Sequence, residues 1–575
     1  MKPSKTNFFP FIDTVRSYNG RLFKSDILAG LTVGTILIPQ AMAYATLAGV
    51  PPIYGLYAAL VPLVIYALYA SSTKLSVGPV AVSALLVFSG VSKLAEPGSE
   101  TYLSLVITLG LLVGVIQICI GMFRFGFLAN FLSHPVIAGF TSAAAIIIVV
   151  SQLNDALGIH LGHHENLLGS LQEFSKSLNE INLPTLGITF ISISSILILK
   201  KISAKIPGAL LALVIATICS YIFKFEDYGI AIIKEVPAGL PSLSIPKVDM
   251  DTISILLSTV ISVTVIGIVE SIGIAKALES KHKDHNLDPN QELLALGLAK
   301  VGGSFFLSIP TSGSFSRSAI NSSTGGKTTV SSLISALLVL ISLLFLTSFF
   351  FYLPKAVLAG IILLAVLSLF DYKEGIHLWK TNRKDFMLML VTFVLTLLLG
   401  IEAGVLCGVV LSILLVLYKS SHPNVVELRQ ITGTNYFKDP SRYENTQRID
   451  DTMIIRFDYQ LYFGNAAFFK ERLYDMLDED GREIKYLLLD ASHINDIDST
   501  GMHILKDIDE DLKSKNIELH LCSASGPIRD TLFLSGMLTE SSKHHIQISD
   551  AVKTLCSHSD ENSLHVIDTL QTNRS

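Results

Sequence analysis

Charged residues are scarce in this sequence. They make up 16% of the chain and hydrophobic residues 50%, whereas soluble domains usually carry about 25% charged residues. The shortage is uneven, because long apolar runs follow one another from Ile27 to Tyr418, and charge becomes frequent only after Ser420. A water-soluble fold could not bury so many apolar runs, so the part before Ser420 is predicted to lie in a membrane.

Motifs for metals, nucleic acids and catalysis are also missing. The chain has five scattered cysteines, Cys119, Cys219, Cys407, Cys522 and Cys556. Their spacing fits no metal or redox motif, so the sequence predicts neither a metal nor a cofactor. A net charge of −5 gives no basis for nucleic-acid binding. No nucleophile–base constellation is visible, so an enzyme is not expected, and the polar N-terminus does not read as a cleavable signal peptide.

The apolar part divides into about fourteen segments, several of them shorter than a helical crossing needs. They lie near 26–48, 53–70, 77–90, 102–122, 127–152, 184–200, 206–223, 252–277, 290–306, 313–324, 329–350, 354–370, 383–399 and 402–419. Basic residues precede the first segment and follow the sixth, eighth and twelfth. These loops share one side, which the positive-inside rule makes the cytoplasm. We therefore expect a multi-pass protein of the plasma (inner) membrane with both termini cytoplasmic.

Two features indicate that the segments form two halves of seven with inverted topology. Residues 133–139 (SHPVIAG) are similar to residues 354–360 (PKAVLAG), and each stretch opens the fifth segment of its half. The third segment of each half is too short to span, and these segments open at residues 78–81 (GPVA) and 312–315 (SGSF). Paired half-helices of this kind point to a transporter binding site at the interface of the repeats. Their positive N-terminal ends would suit an anion.

Ionisable and polar residues occur inside these apolar segments. Gln40 lies in the first segment, with Tyr44 one helical turn later, and Glu270 lies midway along the eighth. Arg317 lies one turn into the tenth segment. Ionisable residues at membrane depth usually face a cavity and mark a pathway. The alternative is a buried Glu–Arg pair that only holds helices together.

Longer motifs give a family resemblance. They are residues 26–57 (DILAGLTVGTILIPQAMAYATLAGVPPIYGLY), 77–81 (VGPVA), 290–293 (NQEL) and 310–321 (PTSGSFSRSAIN). The chain resembles the SulP sulfate permeases, and its C-terminal part resembles a STAS domain. The resemblance implies an α-helical polytopic fold of seven plus seven inverted segments, whose core and gate domains move like an elevator. It also implies a homodimer in membrane lipid that holds an anion between the third and tenth helices.

The resemblance also implies roles for particular residues. The substrate-binding positions would be Gln40, Tyr44, Val80, Ala81, Ser314, Phe315, Ser316 and Arg317. Glu270 matches the acidic position of cation-coupled members. Sodium-coupled relatives carry a threonine one turn later, where this chain has Ile274, and Phe315 interrupts their small-residue pattern. Both departures favour a proton as the coupling ion.

Beyond the membrane part, alternating strand and helix patterns predict a small cytoplasmic α/β domain. The expected division is 1–25 N-terminal segment, 26–420 transport domain, 421–448 linker, 449–560 STAS domain and 561–575 tail. Asp498-Ser499-Thr500-Gly501 matches the helix start that carries the phosphorylated hydroxyl in anti-sigma antagonists. Ser499 and Thr500 are therefore either a candidate regulatory phosphorylation site or only helix caps.

The leading functional hypothesis is proton-coupled uptake of sulfate. Proton-coupled transport of a dicarboxylate is nearly as good an interpretation, and bicarbonate uptake is the third. From a different class, the membrane part could sense an anion and signal through the STAS domain. His160, His163, His164 and Glu165 form an outer-loop cluster whose spacing matches no standard metal site, so a solvated loop is expected there.

Overall fold

Apolar helices fill the first of the two units into which the chain divides, Met1–Ile413 and Leu414–Ser575. The computed structural model describes residues 9–130, 133–159, 167–202, 207–234, 239–282, 287–538 and 543–555. The first half of the membrane part contains α1 (Pro10–Ser17), α2 (Gly20–Leu47), α3 (Pro52–Tyr69), α4 (Ala81–Val91), α5 (Glu100–Met122), α6 (His134–Ser151), α7 (Leu153–Leu157), α8 (Leu167–Lys176), α9 (Leu183–Ile202) and α10 (Gly208–Phe223). A two-residue strand, β1 (Val77–Gly78), precedes α4.

The second half repeats this order. It contains α11 (Met250–His282), α12 (Pro289–Ser304), α13 (Phe315–Ser323), α14 (Val330–Phe345), α15 (Thr347–Phe350), α16 (Lys355–Val366), α17 (Tyr372–Thr381), α18 (Arg383–Leu399) and α19 (Ile401–Ser421). The strand β2 (Ser312–Gly313) precedes α13, just as β1 precedes α4. The two stretches with similar sequences open α6 and α16, the fifth membrane helix of each half.

A helix lies in each of the fourteen predicted segments, so the predicted fold class is confirmed. Five helices of the described part, α2, α3, α5, α6 and α11, are apolar and long enough to cross a membrane, or six if the bent pair within residues 172–199 counts as one span. By contrast, α4 has 11 residues and α13 has 9. Because a crossing needs about 20 residues, α4 and α13 are half-helices, and they begin inside the protein.

Glycines allow the helices around these half-helices to pack closely. On α5 and α12, a Cβ built on Gly297 would lie 2.7 Å from the carbonyl oxygen of Gly114, and one built on Gly114 would lie 2.9 Å from that of Gly297. Backbone atoms cannot yield to a methyl group as a flexible side chain can. The crossing of α5 and α12 therefore depends on the absence of side chains at these two positions.

The second unit is built on a five-stranded sheet in the order β10-β9-β8-β7-β3. Its strands and those of a separate three-stranded sheet are β3 (Val425–Glu427), β4 (Arg429–Ile431), β5 (Phe437–Lys438), β6 (Thr446–Gln447), β7 (Thr452–Phe457), β8 (Tyr486–Asp490), β9 (Glu518–Cys522) and β10 (His544–His545). Its helices are α20 (Ala466–Asp480), α21 (Ser499–Ser514) and α22 (Gly526–Leu534). Strands β7 to β10 are parallel, and β3 pairs with β7 in the antiparallel sense.

Both faces of this sheet are covered. Ile455 and Leu487 pack into one apolar cluster, whereas Ile454 and Leu488 pack into another. Strands buried on both faces explain why β7 and β8 read as continuous apolar runs in the sequence. Cys522 is buried at the end of β9, and burial together with nearby Asp490 and Asp550 raises the pKa of its thiol to about 12.

The structure corrects the prediction that residues 421–448 are a linker. This stretch contains β3, an edge strand of the five-stranded sheet, and the three-stranded sheet of β4, β5 and β6. These strands are two or three residues long. Such short strands carry too few positions to show the alternation of period two that identifies a strand in sequence.

The close crossing of α5 and α12 leads to a test with a matched control. We expect Gly297→Ala to lower the apparent Tm of the detergent-purified protein, because overpacking typically costs about 1–3 kcal/mol. Gly187→Ala is the control, since a Cβ there meets nothing within 4 Å and alanine favours a helix by about 1 kcal/mol over glycine. Equal Tm values for the two variants would show that the crossing tolerates a methyl group.

Candidate functional site

The two half-helices begin at one point because the extended segments before them pair. Strands β1 and β2 form an antiparallel ladder in which Val77 faces Gly313 and Gly78 faces Ser312. The N–H of Ser314 continues the ladder by donating to the carbonyl oxygen of Ser76 at 3.0 Å. The N-terminal ends of α4 and α13 therefore follow directly from this crossing of the chain, where their partial positive charges converge.

The predicted residues of the half-helices lie at these two ends. Val80 is the N-cap of α4 and Ala81 its first residue, and both are buried. No side chain caps α4, so the first N–H groups of this helix are left without a side-chain acceptor. Ser314 is the N-cap of α13, and its hydroxyl accepts from the N–H of Arg317 at 3.5 Å.

Phe315 and Ser316 differ from the other residues of this predicted set. The Phe315 side chain is 63% exposed, and Ser316 is also exposed. The hydroxyl of Ser316 lies 3.4 Å from that of Ser314. The buried part of the α13 end is therefore formed by Ser314 and Arg317, and Phe315 contributes only its backbone there.

Arg317 is the largest completely buried side chain of the described residues. Its Nη1 donates to Oε1 of Gln40 at 3.1 Å, whereas its Nε and Nη2 have no hydrogen-bond partner within the described part of the chain. Leaving a buried donor unsatisfied costs about 1–3 kcal/mol, and more when it is charged. A guanidinium can donate through two of its nitrogens to a single oxyanion at the same time.

The first membrane helix supplies the other predicted contacts. Gln40 follows Pro39 inside α2, and Tyr44 lies one turn further on and is buried. Tyr44 interacts electrostatically with both Arg317 and Glu270. The structure therefore places Gln40 and Tyr44 of α2 next to Arg317 of α13.

Glu270 lies on α11 next to the ladder. The neighbouring residue, Ser271, accepts from the N–H of Gly313 at 3.0 Å, and its hydroxyl lies 3.0 Å from that of Ser312. Oε2 of Glu270 is buried and has no partner among the residues described. Arg317 and Lys300 are the cations that act on this carboxylate. The carboxylate of Glu270 and the guanidinium of Arg317 thus lie close to the start of α13. Each has buried polar atoms without a hydrogen-bond partner among the described residues.

Sequence reasoning missed a second buried cation. Lys300 on α12 is 4% exposed, and its Nζ donates to Oε1 of Gln117 on α5 at 2.9 Å. Nε2 of Gln117 has no partner in the described chain, and a Cβ on Gly267, one turn before Glu270, would lie 3.4 Å from it. A lysine inside the predicted ninth segment was the available signal.

Other buried charges hold the loops that flank the half-helices. Glu292 of the NQEL motif accepts from the N–H groups of Ser71 and Ser72 at 3.0 and 2.9 Å and from the hydroxyl of Tyr66. Asp26 accepts from the N–H groups of Lys327 and Thr328 at 2.7 and 3.1 Å. These carboxylates replace water for backbone groups that would otherwise be unsatisfied, so their role is structural.

The candidate phosphorylation site lies in the second unit, where the structure corrects the capping alternative. Asp498 is the N-cap of α21, and its carboxylate accepts from the N–H of Gly501 at 2.7 Å. Ser499 and Thr500 are the first residues of the helix and are exposed. Aspartate caps at least as well as a hydroxyl, so these hydroxyls are not needed as caps. Residues 160–165, the loop with the histidine cluster, lie outside the described residues.

Comparisons with known proteins agree with this architecture. Residues 23–392 match the sulfate permease family, and residues 443–554 match the STAS domain. A probable sulfate transporter 4.2 of Arabidopsis thaliana is 36% identical over 97% of this chain and 86% of its own length. The chain belongs to the sulfate permease family and carries a C-terminal STAS domain, as the sequence motifs predicted.

Solved structures show the same fold. The murine solute carrier 26 family member A9 anion transporter in the inward-facing state has a TM-score of 0.88 and 27% identity, covering 96% of this chain and 94% of its own. The transmembrane domain of the cyanobacterial bicarbonate transporter BicA has a TM-score of 0.60 and 25% identity, covering 69% of this chain and 98% of its own. The protein is thus an integral membrane transporter by family and by fold.

The ladder makes a prediction about Gly78. A Cβ built there would lie 3.2 Å from Nη2 of Arg317 and 3.1 Å from Leu37, so Gly78→Ala should displace the guanidinium. We expect roughly tenfold weaker anion binding, because a misplaced guanidinium would weaken a charge-assisted hydrogen bond that contributes about 1.5–3 kcal/mol. Binding of radiolabelled sulfate to purified protein measures this, with Gly273→Ala as the control because a Cβ there has open space. If Gly78→Ala binds sulfate as tightly as Gly273→Ala does, the position of the Arg317 guanidinium does not determine anion affinity.

Proposed function

We propose that this protein is a secondary active anion transporter that takes up sulfate together with a proton by an elevator-like mechanism. The observation that carries the proposal is the buried Arg317, whose Nε and Nη2 have no acceptor within the described residues at the point where the half-helices begin. The relatives named as sulfate transporters make sulfate the first candidate substrate.

An oxyanion suits this site for electrostatic and geometric reasons. A guanidinium presents its N–H groups in a planar fork that matches pairs of oxyanion oxygens. The converging ends of α4 and α13 add partial positive charge and free N–H groups. Gln40 holds Arg317 through Nη1 and so leaves its other nitrogens to a substrate. Tyr44 supplies a buried hydroxyl beside the same guanidinium.

The proton is assigned to Glu270 because this carboxylate and the anion share one cation. When Glu270 is ionised, it competes with a bound anion for the field of Arg317. Protonation removes that competing charge and strengthens anion binding. By thermodynamic linkage, a bound anion must favour protonation of Glu270 to the same degree. Ile274 occupies the position one turn later and offers no oxygen to a sodium ion.

Two groups of helices support the elevator division into core and gate. Helices α2, α3, α5, α12 and α14 pack among themselves around the ladder, whereas α6 packs on α18, and α9 on α10 and α16. The first group carries Gln40, Tyr44 and Lys300. We place both termini in the cytoplasm, because the basic loops lie on the side of the N-terminus.

Bicarbonate is the second candidate substrate. The favouring observation is the structural similarity to the transmembrane domain of BicA, which covers 98% of that chain. Uptake into proteoliposomes under imposed proton and sodium gradients, with sulfate, fumarate and bicarbonate compared, tests the assignment. Sodium-driven uptake of bicarbonate without proton-driven uptake of sulfate would replace the proposal by this second function.

Replacing Glu270 tests the coupling. In the parent protein, anion affinity should rise as the pH falls, because protonation of Glu270 removes a charge that opposes the anion. Glu270→Gln resembles the protonated state, so its affinity should stay high and vary little with pH. It should fail to accumulate sulfate under an inward proton gradient, while anion exchange survives. Accumulation equal to that of the parent would make Glu270 structural.

Replacing Arg317 tests the anion site. Arg317→Ala should leave a monodisperse protein with at least about a tenfold loss of anion affinity, because a charge-assisted hydrogen bond contributes about 1.5–3 kcal/mol. The control is Arg21→Ala, which removes an exposed arginine from the first turn of α2. Isothermal titration or equilibrium binding of sulfate measures both variants. Unchanged affinity after Arg317→Ala would move the site elsewhere.

A further inference from the structure

The helix α17 connects two membrane helices without continuing either of them. It lies between α16 and α18 and has its own caps, since Asp371 accepts from the N–H of Glu374 at 3.0 Å at its start. Asn382 ends it and caps α18. A capped helix of ten residues is too short to span, and its exposed Lys373 and Lys380 place it where the chain leaves the membrane.

One side of α17 rests on the protein. Leu378 is 7% exposed, and a Cβ on Gly375 would contact Met389 of α18. Glu374 lies 3.3 Å from Nδ1 of His134 at the start of α6. These contacts fix the rotation of the helix about its axis.

A different side carries an exposed apolar stripe. The exposed fractions are 58% for Tyr372, 53% for Ile376 and 53% for Trp379. Successive residues of an α-helix are about 100° apart, so these three side chains fall within about 60° of one another. Tyrosine and tryptophan are the residues that prefer the boundary between hydrocarbon and headgroups. A stripe of this composition fits the membrane interface better than water.

Basic residues flank the stripe on the side away from the protein. Lys373 and Lys380 lie about 80–100° from Tyr372, whereas Leu378 lies about 120° away in the opposite sense. Both lysines are exposed. The guanidinium of Arg383 lies 5.5 Å from the centre of the Trp379 ring. Around the helix the order is therefore protein contact, apolar stripe and basic flank, as in helices that lie in a membrane surface.

We propose that α17 is a docking surface for anionic phospholipids of the cytoplasmic leaflet. The apolar stripe lies among the upper acyl chains, and Lys373 and Lys380 bind headgroup phosphates. We assign this surface to lipid and not to a second copy of the chain. A second copy would place like charges opposite Lys373 and Lys380, whereas anionic headgroups carry the opposite charge. The assignment to the cytoplasmic leaflet rests on the proposed orientation, but the lipid contact does not depend on the transported anion.

The sequence offers an intrinsic probe, since Trp379 is the only tryptophan of the chain. The full-length protein would be placed in nanodiscs of phosphatidylcholine and phosphatidylglycerol, with bromine on the acyl chains of one lipid at a time. We expect bromine to quench Trp379 more strongly when phosphatidylglycerol carries it. The attraction between a lysine and an anionic membrane surface corresponds to about fivefold enrichment of anionic lipid next to each lysine.

Two double variants separate headgroup binding from simple contact with lipid. Lys373→Gln with Lys380→Gln should equalise quenching by the two brominated lipids while leaving quenching itself in place. Lys93→Gln with Lys224→Gln, at two exposed lysines that the proposed orientation places on the opposite side of the membrane, should keep the difference. Equal quenching in the parent protein would overturn the anionic selectivity. No quenching by either lipid would overturn the lipid contact and indicate a protein neighbour.

Discussion

The pairing of β1 with β2 is the constraint on which the rest of the membrane unit depends. Backbone N–H and C=O groups cannot stay unpaired inside a membrane, so a chain can break its helices there only if the extended pieces satisfy each other. Here two residues from each half do so, and the hydroxyl of Ser271 completes the set by accepting from Gly313. Without this ladder, α4 and α13 would have no reason to begin at the same place.

The ladder also explains a local imbalance of charge. A cation near a helix N-terminus is unfavourable, because the dipole already makes that end positive. Arg317 lies in the first turn of α13, close to the start of α4, and Lys300 is buried nearby. Glu270 offsets only part of this positive charge. In the proposed site, a bound anion would offset this buried positive charge, and the electrostatic cost of burying the charge would be recovered as binding affinity.

The parts of this site that could be predicted from sequence were those with a local signal. The half-helices appeared as apolar segments that were too short, and Glu270 and Arg317 as charges among apolar residues. The Lys300–Gln117 pair could not be assigned in the same way, because it depends on the crossing of α5 and α12, which are far apart in sequence. One interpretation of the sequence made Ser499 and Thr500 the caps of α21, whereas Asp498 caps this helix in the structure. Sequence shows which residues can cap a helix but not which of them does.

The single carboxylate that the described structure places beside Arg317 has a consequence for membrane voltage. One glutamate can carry one proton, whereas sulfate carries two negative charges. Each proposed uptake cycle through this site would therefore bring one net negative charge into the cell. A potential that is negative inside opposes that movement by about 2.3 kcal/mol per 100 mV. Under the proposed coupling, the number of carboxylates beside Arg317 thus sets how much free energy of the proton gradient remains for concentrating the anion.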